Sequence, residues 1–295
     1  MSTGIDGMIG QERIKRLLKT ELGAAMKSGK AMTHCLLYGP PGYGKSSVSR
    51  AIASTAGYEL REWVVGKDWT ASRILAELFD LPTTGYSANG IRSKQGPVYL
   101  LLLDECHNLT RSAWETLYEP LQTGHIVSGG GRHWLPEIVI CLATTDPSMI
   151  PKPARDRVGL SLHMDPYTQG DLMQIIAARF PRLSKEIVSG VSQRCKGTPR
   201  VALNYAERCQ NAGGLCFFSD MGINEIGLDS VDQAYIAALQ NSRKPLSLST
   251  LASITGEPTS VLTDMVEPFL LSAGIIEICP QGRRLVASGR GQRGA

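Results

Sequence analysis

No C-x-x-C pair occurs anywhere in this chain. Its seven cysteines (Cys35, Cys106, Cys141, Cys195, Cys209, Cys216, Cys279) are odd in number and scattered. Several stand inside apolar runs, where a thiol serves as a small hydrophobe. That pattern excludes a disulfide scaffold and a cysteine-based zinc site, and it fits a reducing compartment. The five histidines show no metal-ligand spacing either. No apolar stretch reaches the ~18 residues that a membrane span requires. The first residues lack the basic, apolar and small-residue succession of a signal peptide, so the expected setting is cytoplasmic, with no membrane partner. Net charge is also scarce. Against 27 Asp+Glu stand 31 Lys+Arg, leaving +4 over 295 residues, too little by itself to argue for nucleic acid. There is no internal repeat, and no low-complexity tract beyond a Gly/Arg-rich tail.

Apolar residues make up 42% and charged residues 20%, which supplies a core and excludes global disorder. At ~150 residues per domain the length accommodates two domains and a small third. The modest charge is unevenly spread. From Leu228 to Ile278 two bases (Arg243, Lys244) face six acids, whereas from Cys279 onward there are four arginines (Arg283, Arg284, Arg290, Arg293) and no acid. A local positive patch on a balanced protein is a candidate contact for polyanions.

Apolar residues spaced at three and four (Ile14, Leu17, Leu18, Leu22, Ala25, Met26) predict an amphipathic helix over residues 10–29. A short apolar run at 34–38 leads into the glycine-rich segment Gly39 to Ser46, and 47–56 reads as a helix. Two continuous apolar runs, 98–103 ending in Asp104-Glu105 and 137–145, read as strands covered on both faces. Helical patterns between them predict βαβ units and a mostly parallel sheet. Helices dominate from Thr168 to Gln210, broken at Pro181 and at Gly197-Thr198-Pro199. A third region offers helices at 231–240 and 249–254, then one starting at Pro258 that Pro268 should end or kink. Two strands follow, 275–279 and 285–287, joined by Pro280-Gln281-Gly282. Helices followed by a basic hairpin describe a winged helix-turn-helix. The expected boundaries are 1–163 for the α/β domain, 164–226 for a helical lid, and 227–295 for the winged helix with its tail.

The segment Gly39-Pro40-Pro41-Gly42-Tyr43-Gly44-Lys45-Ser46 fits G-x-x-x-x-G-K-[ST] at every fixed position. Its glycines let backbone N–H groups turn toward phosphate oxygens, and the next helix, through Ser47, presents its positive end to the same place. Lys45 would reach the terminal phosphates of ATP, and Ser46 would hold Mg²⁺. Asp104, at a strand end, would support that Mg²⁺ in the manner of P-loop NTPases, and Glu105 beside it would polarise an attacking water. His107 reads as a structural neighbour of this site.

At this point a family comes into view. Ile9-Gly10-Gln11-Glu12, the P-loop, Asp104-Glu105-Cys106-His107, Ala143-Thr144-Thr145, Arg155-Asp156-Arg157 and Gly197-Thr198-Pro199-Arg200 occur in one order. This series resembles that of the AAA+ ATPases, and most closely the RuvB family of Holliday-junction branch-migration motors. Gly227-Leu228-Asp229, Glu267-Pro268-Phe269-Leu270 and Gly282-Arg283-Arg284 resemble the RuvB winged helix. The resemblance implies an α/β AAA+ P-loop sheet domain, a helical lid and a C-terminal winged helix. It casts Thr145 as sensor 1, Arg157 as the arginine finger (with Arg155 as second candidate), and Arg200 as sensor 2. The segment Ile9-Gly10-Gln11 would line the adenine pocket. Since a finger works on a neighbour's nucleotide, a ring is implied, a hexamer, acting on duplex or branched DNA through Arg283 and Arg284. An ATP-switched loader or recruiter of a helicase, clamp or transposase is the alternative.

The chain also departs from the family. Its counterpart of the hairpin that docks RuvA, Gly124 to Leu135, is short and Gly-rich, which counts against an accessory partner of RuvA type. A loop at 82–97 is longer than the family's, and its Arg92 and Lys94 are candidates for DNA contact. Asp146 stands where the family carries a base.

Overall fold

In the computed structural model, which describes residues 4–82 and 96–286, the chain divides into two units. The first runs to Asp171 and includes Thr198–Arg200; the second comprises Leu172–Gly197 and everything from Val201.

The first unit is built on strands β1 (Cys35–Tyr38), β2 (Glu59–Val64), β3 (Tyr99–Asp104), β6 (Ile138–Thr144) and β7 (Leu160–His163), with β4 (His125–Ser128) and β5 (Gly131–Trp134) as a separate antiparallel hairpin. The five strands form one sheet in the order β2-β3-β6-β1-β7, with every pairing parallel. The apolar runs explain this arrangement. Successive strand side chains point to opposite faces, so Leu100 and Leu102 join Cys35, Leu37, Val139 and Cys141 against Ile14, Leu18 and Ile52. Leu101 and Leu103 join Leu36, Ile140 and Leu142 against Trp114, Leu117 and Ile74. Both faces are therefore buried beneath helices, as the unbroken apolar runs require. The helix Glu12–Ser28 buries Ile14, Leu18, Leu22 and Ala25 of its predicted stripe, while Leu17 and Met26 face solvent.

Helices dominate the early part of the second unit, and Tyr205, Phe217 and Phe218 form an aromatic cluster there, with Tyr205 edge-on to Phe218 and the other two pairs tilted. The winged-helix part opens with Ser230–Gln240, started by a reciprocal cap in which Asp229 and Asp232 each accept backbone N–H groups. Leu248–Thr255 follows. The third helical stretch runs from Thr259 to Ser272, so of the two expected effects of Pro268, ending the helix or kinking it, the first does not occur. A π turn at Leu262–Val266 widens the helix just before the proline. Pro268 then sits in the first turn of Glu267–Ser272, where its missing N–H and fixed φ are tolerated.

The hairpin is also tighter than predicted: β8 is Ile276–Cys279 and β9 is Gly282–Leu285. Arg283 and Arg284 thus lie within a strand, not beyond it. Leu246 adds a third, one-residue pairing by exchanging hydrogen bonds with Arg283 at 2.9 and 2.8 Å. Gly282 permits this approach: at φ +138° a Cβ there would lie 2.2 Å from the Leu246 carbonyl oxygen. Among the described residues, no helix is long and apolar enough to cross a membrane. All seven cysteines are free thiols, five of them buried.

Candidate active site

In a parallel sheet, ligands bind outside the carboxyl ends of the strands. The register of β1 with β6 pairs Tyr38 with Thr144, and β3 pairs Leu103 with Leu142 on β6. The residues that follow these three strand ends, Gly39, Asp104-Glu105 and Thr145, therefore emerge together.

Between β1 and the helix Lys45–Ala56 the loop makes its turn on glycine. Gly42 has φ +80°, and a Cβ on it would lie 2.9 Å from the Cβ of Arg200, so any side chain would push that arginine off the loop. The Arg200 backbone N–H also donates to the Gly42 carbonyl at 3.4 Å. The ammonium of Lys45 is buried and donates to the carbonyls of Gly39 (2.9 Å) and Pro40 (3.1 Å). Burial holds its pKa below the ordinary lysine value, opposed by the charges of Glu105 and Asp104, while Arg200 adds to the lowering. Lys45 is thus a charge held by loop carbonyls and not committed to a carboxylate.

Ser46 Oγ donates to Asp104 Oδ2 at 2.8 Å. Two hard oxygen donors from different elements so meet at the P-loop, the donor class that Mg²⁺ takes; with the glycine cradle, they fit a magnesium–nucleotide complex. Glu105 adopts a left-handed backbone, φ +53°, which costs a non-glycine residue about 1–3 kcal/mol and gathers at functional sites. Its N–H caps Asp104 Oδ1 at 3.1 Å. Its Oε2 accepts a hydrogen bond from Thr145 Oγ1 at 3.2 Å. The predicted water-polarising carboxylate and the predicted sensor are in direct contact.

Sequence reasoning passed over Thr144 and gave His107 only a neighbour's place. Buried Thr144 donates its hydroxyl proton to the Asp146 carbonyl (3.1 Å) and accepts the Asp146 N–H (3.0 Å). His107 Nδ1 lies 3.0 Å from the same oxygen and 3.4 Å from Glu105 Oε2. A hydroxyl has one proton, and that of Thr144 is given away, so Nδ1 carries the hydrogen and donates. The imidazole therefore ties the end of β6 to Glu105. The signal available was position: Thr144 adjoins Thr145, and His107 lies two residues after Glu105. Asp146, the departure from the family, accepts the Ser148 N–H at 2.9 Å and caps the next turn; the Ser148 hydroxyl first, and then that N–H, hold its carboxyl below the usual range.

Gly10 and Gln11 both have positive φ. The Gln11 amide clamps Asp165, donating to its carbonyl at 2.7 Å and accepting its N–H at 3.2 Å. Ile9 beside Gly10 is half-buried, and the Tyr167 hydroxyl donates to the Tyr43 carbonyl at 3.3 Å. Arg157 stands apart from the P-loop set: it donates to Gln122 (3.1 Å) and the Pro153 carbonyl (2.9 Å), and its guanidinium lies over the Tyr118 ring at 5.2 Å. Arg155 is exposed.

At the wing, the premise that no acid neutralises the two arginines is corrected. Arg283 is bound by both oxygens of buried Glu267, at 2.8 and 3.3 Å, and the Tyr235 hydroxyl donates to the same carboxylate at 2.7 Å. Hydrogen bonding to Glu267 raises the Arg283 pKa above its ordinary value. Arg284 pairs with Glu277 at 2.7 Å on the surface. The loop candidates Arg92 and Lys94, and the tail residues Ala287, Arg290 and Arg293, lie outside the described residues.

A P-loop at the end of a central parallel strand, a strand-end Asp-Glu pair, and a threonine on the neighbouring strand end bonded to that glutamate define an AAA+ ATPase. Comparison with known proteins carries this further. Residues 2–164 match the family described as the Holliday junction DNA helicase RuvB P-loop domain, and residues 225–291 match the RuvB C-terminal winged helix domain. The Holliday junction branch migration complex subunit RuvB of Helicobacter acinonychis is 31% identical, covering 94% of this chain and 86% of its own length. That of Campylobacter fetus is also 31% identical, covering 94% and 84%. Among solved structures, the Thermotoga maritima RuvB Holliday junction branch migration motor aligns with a TM-score of 0.74 at 25% identity, over 97% of this chain and 95% of that one. The chain belongs to the RuvB family.

Proposed function

We propose that this protein is an ATP-driven motor that moves the branch point of Holliday junctions, working as a ring, a hexamer, on duplex or branched DNA in the cytoplasm. The observation that carries the proposal is that one chain joins a hydrolytic centre, with Ser46 bonded to Asp104 and Thr145 to Glu105, to a winged helix of the same family. In this reading the domains divide as 1–163, 164–226 and 227–295. The P-loop from Gly39 to Ser47 wraps the phosphates of ATP, and Ile9 borders the adenine. Lys45 releases its loop carbonyls to neutralise phosphate charge. Ser46 and Asp104 would hold Mg²⁺, which when bound offsets negative charge on the phosphate oxygens. Glu105 takes a proton from the attacking water while Thr145 and His107 fix its carboxylate. Arg200 reports on the phosphates within its own subunit, and Arg157, held ready against Tyr118, serves a neighbour's site, where a guanidinium offsets charge developing during transfer. The hairpin of β4 and β5 has four residues in each strand, and this shortness supports docking without a RuvA-type contact there.

The test is ATP hydrolysis measured with no DNA, single strand, duplex and four-way junction, alongside oligomer mass and junction movement. Stimulation by junction DNA, ring-sized mass and ATP-dependent movement are expected. Stimulation and assembly without movement would replace the motor by a loader.

A further inference from the structure

The winged helix has an unused pair of bases. Arg243 and Lys244 are the only basic residues between Leu228 and Ile278. Both are exposed, and neither enters an ion pair among the described residues. The turn that holds them is built: Ser242 Oγ donates to the Lys244 carbonyl at 2.7 Å and accepts the Lys244 N–H at 3.3 Å. Two residues further, Leu246 bonds to Arg283 on β9. At no more than ~3.6 Å per residue, both bases lie within about 11 Å of that pairing. They therefore border the strand that carries Arg284.

The helix-turn-helix face has the opposite character. From Pro245 to Gly282 there is no lysine or arginine; of the acids in this span, Glu267 is buried against Arg283 and Glu277 lies on β8, which leaves Glu257 between the helices and the exposed Asp264 on the third. The exposed positions at the start of the third helix are Thr259, Ser260, Asp264 and Met265. A helix lying in the major groove is flanked by phosphates, and cationic contacts to phosphate supply most of the affinity. Asp264 would meet those phosphates with like charge.

Resting on the DNA-motor reading, we propose that this winged helix holds DNA by a phosphate-binding edge made of Arg243, Lys244 and Arg284, with its third helix left out of the groove. The edge takes sugar-phosphate backbone of any sequence, which suits a motor that must pass along DNA. The Arg284–Glu277 pair does not oppose this, because an exposed pair contributes little and can be exchanged for phosphate. Gly282 belongs to the device, since only glycine allows Leu246 to bring the turn against β9.

The experiment is binding of a labelled duplex and a four-way junction by the full chain across a salt series. Arg243→Ala/Lys244→Ala is compared with Thr259→Ala/Ser260→Ala. The first should weaken binding to all sequences alike and lower the slope of log K against log salt by about 1.8, at ~0.9 per lost phosphate contact. The second should leave affinity and slope at wild-type values. Arg243→Gln/Lys244→Gln repeats the first variant should the alanines lower the melting temperature. A wild-type slope in the charge variants, or a loss confined to Thr259→Ala/Ser260→Ala, overturns the edge while leaving the motor reading intact. A wild-type chain that binds neither DNA overturns both.

Discussion

The charged groups at the P-loop and those at the root of the wing are partnered in different ways. At the P-loop, Lys45 bonds to carbonyls 2.9 and 3.1 Å away and leaves Asp104 and Glu105 to a serine and a threonine. In the winged helix, Arg283 is spent on Glu267, with Tyr235 completing the group. The first arrangement keeps its charges poised by bonding each to a neutral partner that can be given up. The second satisfies every charge internally and so fixes the joint between two helices and the wing. A charged group's purpose is thus read from its partners more than from its burial, since Lys45 and Glu267 are both buried.

If the poised arrangement is catalytic, its largest break comes from outside the subunit. Arg157→Ala should bind ATP normally and lose roughly 10³–10⁵ in turnover, the usual contribution of an arginine finger. Mixing it with Lys45→Ala subunits, which keep the finger but cannot hold phosphate, should restore part of the activity. Normal hydrolysis by Arg157→Ala alone would move the finger to Arg155. Within the subunit, Glu105→Gln should retain ATP and lose about 10²–10⁴ in rate, because an amide cannot accept the proton from water. Nucleotide binding by filter or fluorescence, next to phosphate release, separates the two effects. Turnover at the wild-type rate would move proton acceptance away from Glu105.

Legibility in the sequence follows the same division. The central strands were readable because they are buried on both faces and so write themselves as unbroken apolar runs at 98–103 and 137–145, whereas the edge strands β2, exposed along most of its length, and β7 carry no such run and were not read. The P-loop was readable because its geometry tolerates so few residue types. What stayed hidden depended on partners distant in the chain. Glu267 lies 16 residues from Arg283, and nothing in Gly282-Arg283-Arg284 announces that the first arginine turns inward while the second does not. Strand alternation separates them, but only once Gly282 is known to lie inside β9. Pro268 left two outcomes open, an end or a kink, for a related reason: a π turn has no sequence signature as plain as the proline that it accommodates.

The spent arrangement should break as structure. Arg283→Ala leaves the Glu267 carboxylate buried with one neutral hydrogen bond, and removing one member of such a pair costs ~3–5 kcal/mol. Replacing both, as Arg283→Met with Glu267→Leu, should cost less than the single change, since no charge is left uncompensated and the lost partner is only the Tyr235 hydroxyl. Urea denaturation of the three proteins checks the order. A single variant as stable as wild type would show that the group does not fasten the wing.

The smallest effect sharpens the comparison most, because it sets two adjacent arginines against each other. Arg284 faces solvent, 58% exposed, and its partner Glu277 is 43% exposed. Pairs of this kind contribute at most ~1 kcal/mol, less in salt, so Arg284→Ala should shift stability by no more than about 0.5 kcal/mol. Its DNA affinity should nonetheless fall, with the salt slope reduced by ~0.9 for one phosphate contact. Glu277→Ala is the companion variant: it frees Arg284, keeps the fold, and should leave binding equal or tighter. Denaturation and salt-dependent binding on the same two proteins decide the matter. If Arg284→Ala loses stability as Arg283→Ala does, or keeps the full slope, then Arg284 is also a structural charge, and DNA contact on this domain falls to Arg243 and Lys244 alone.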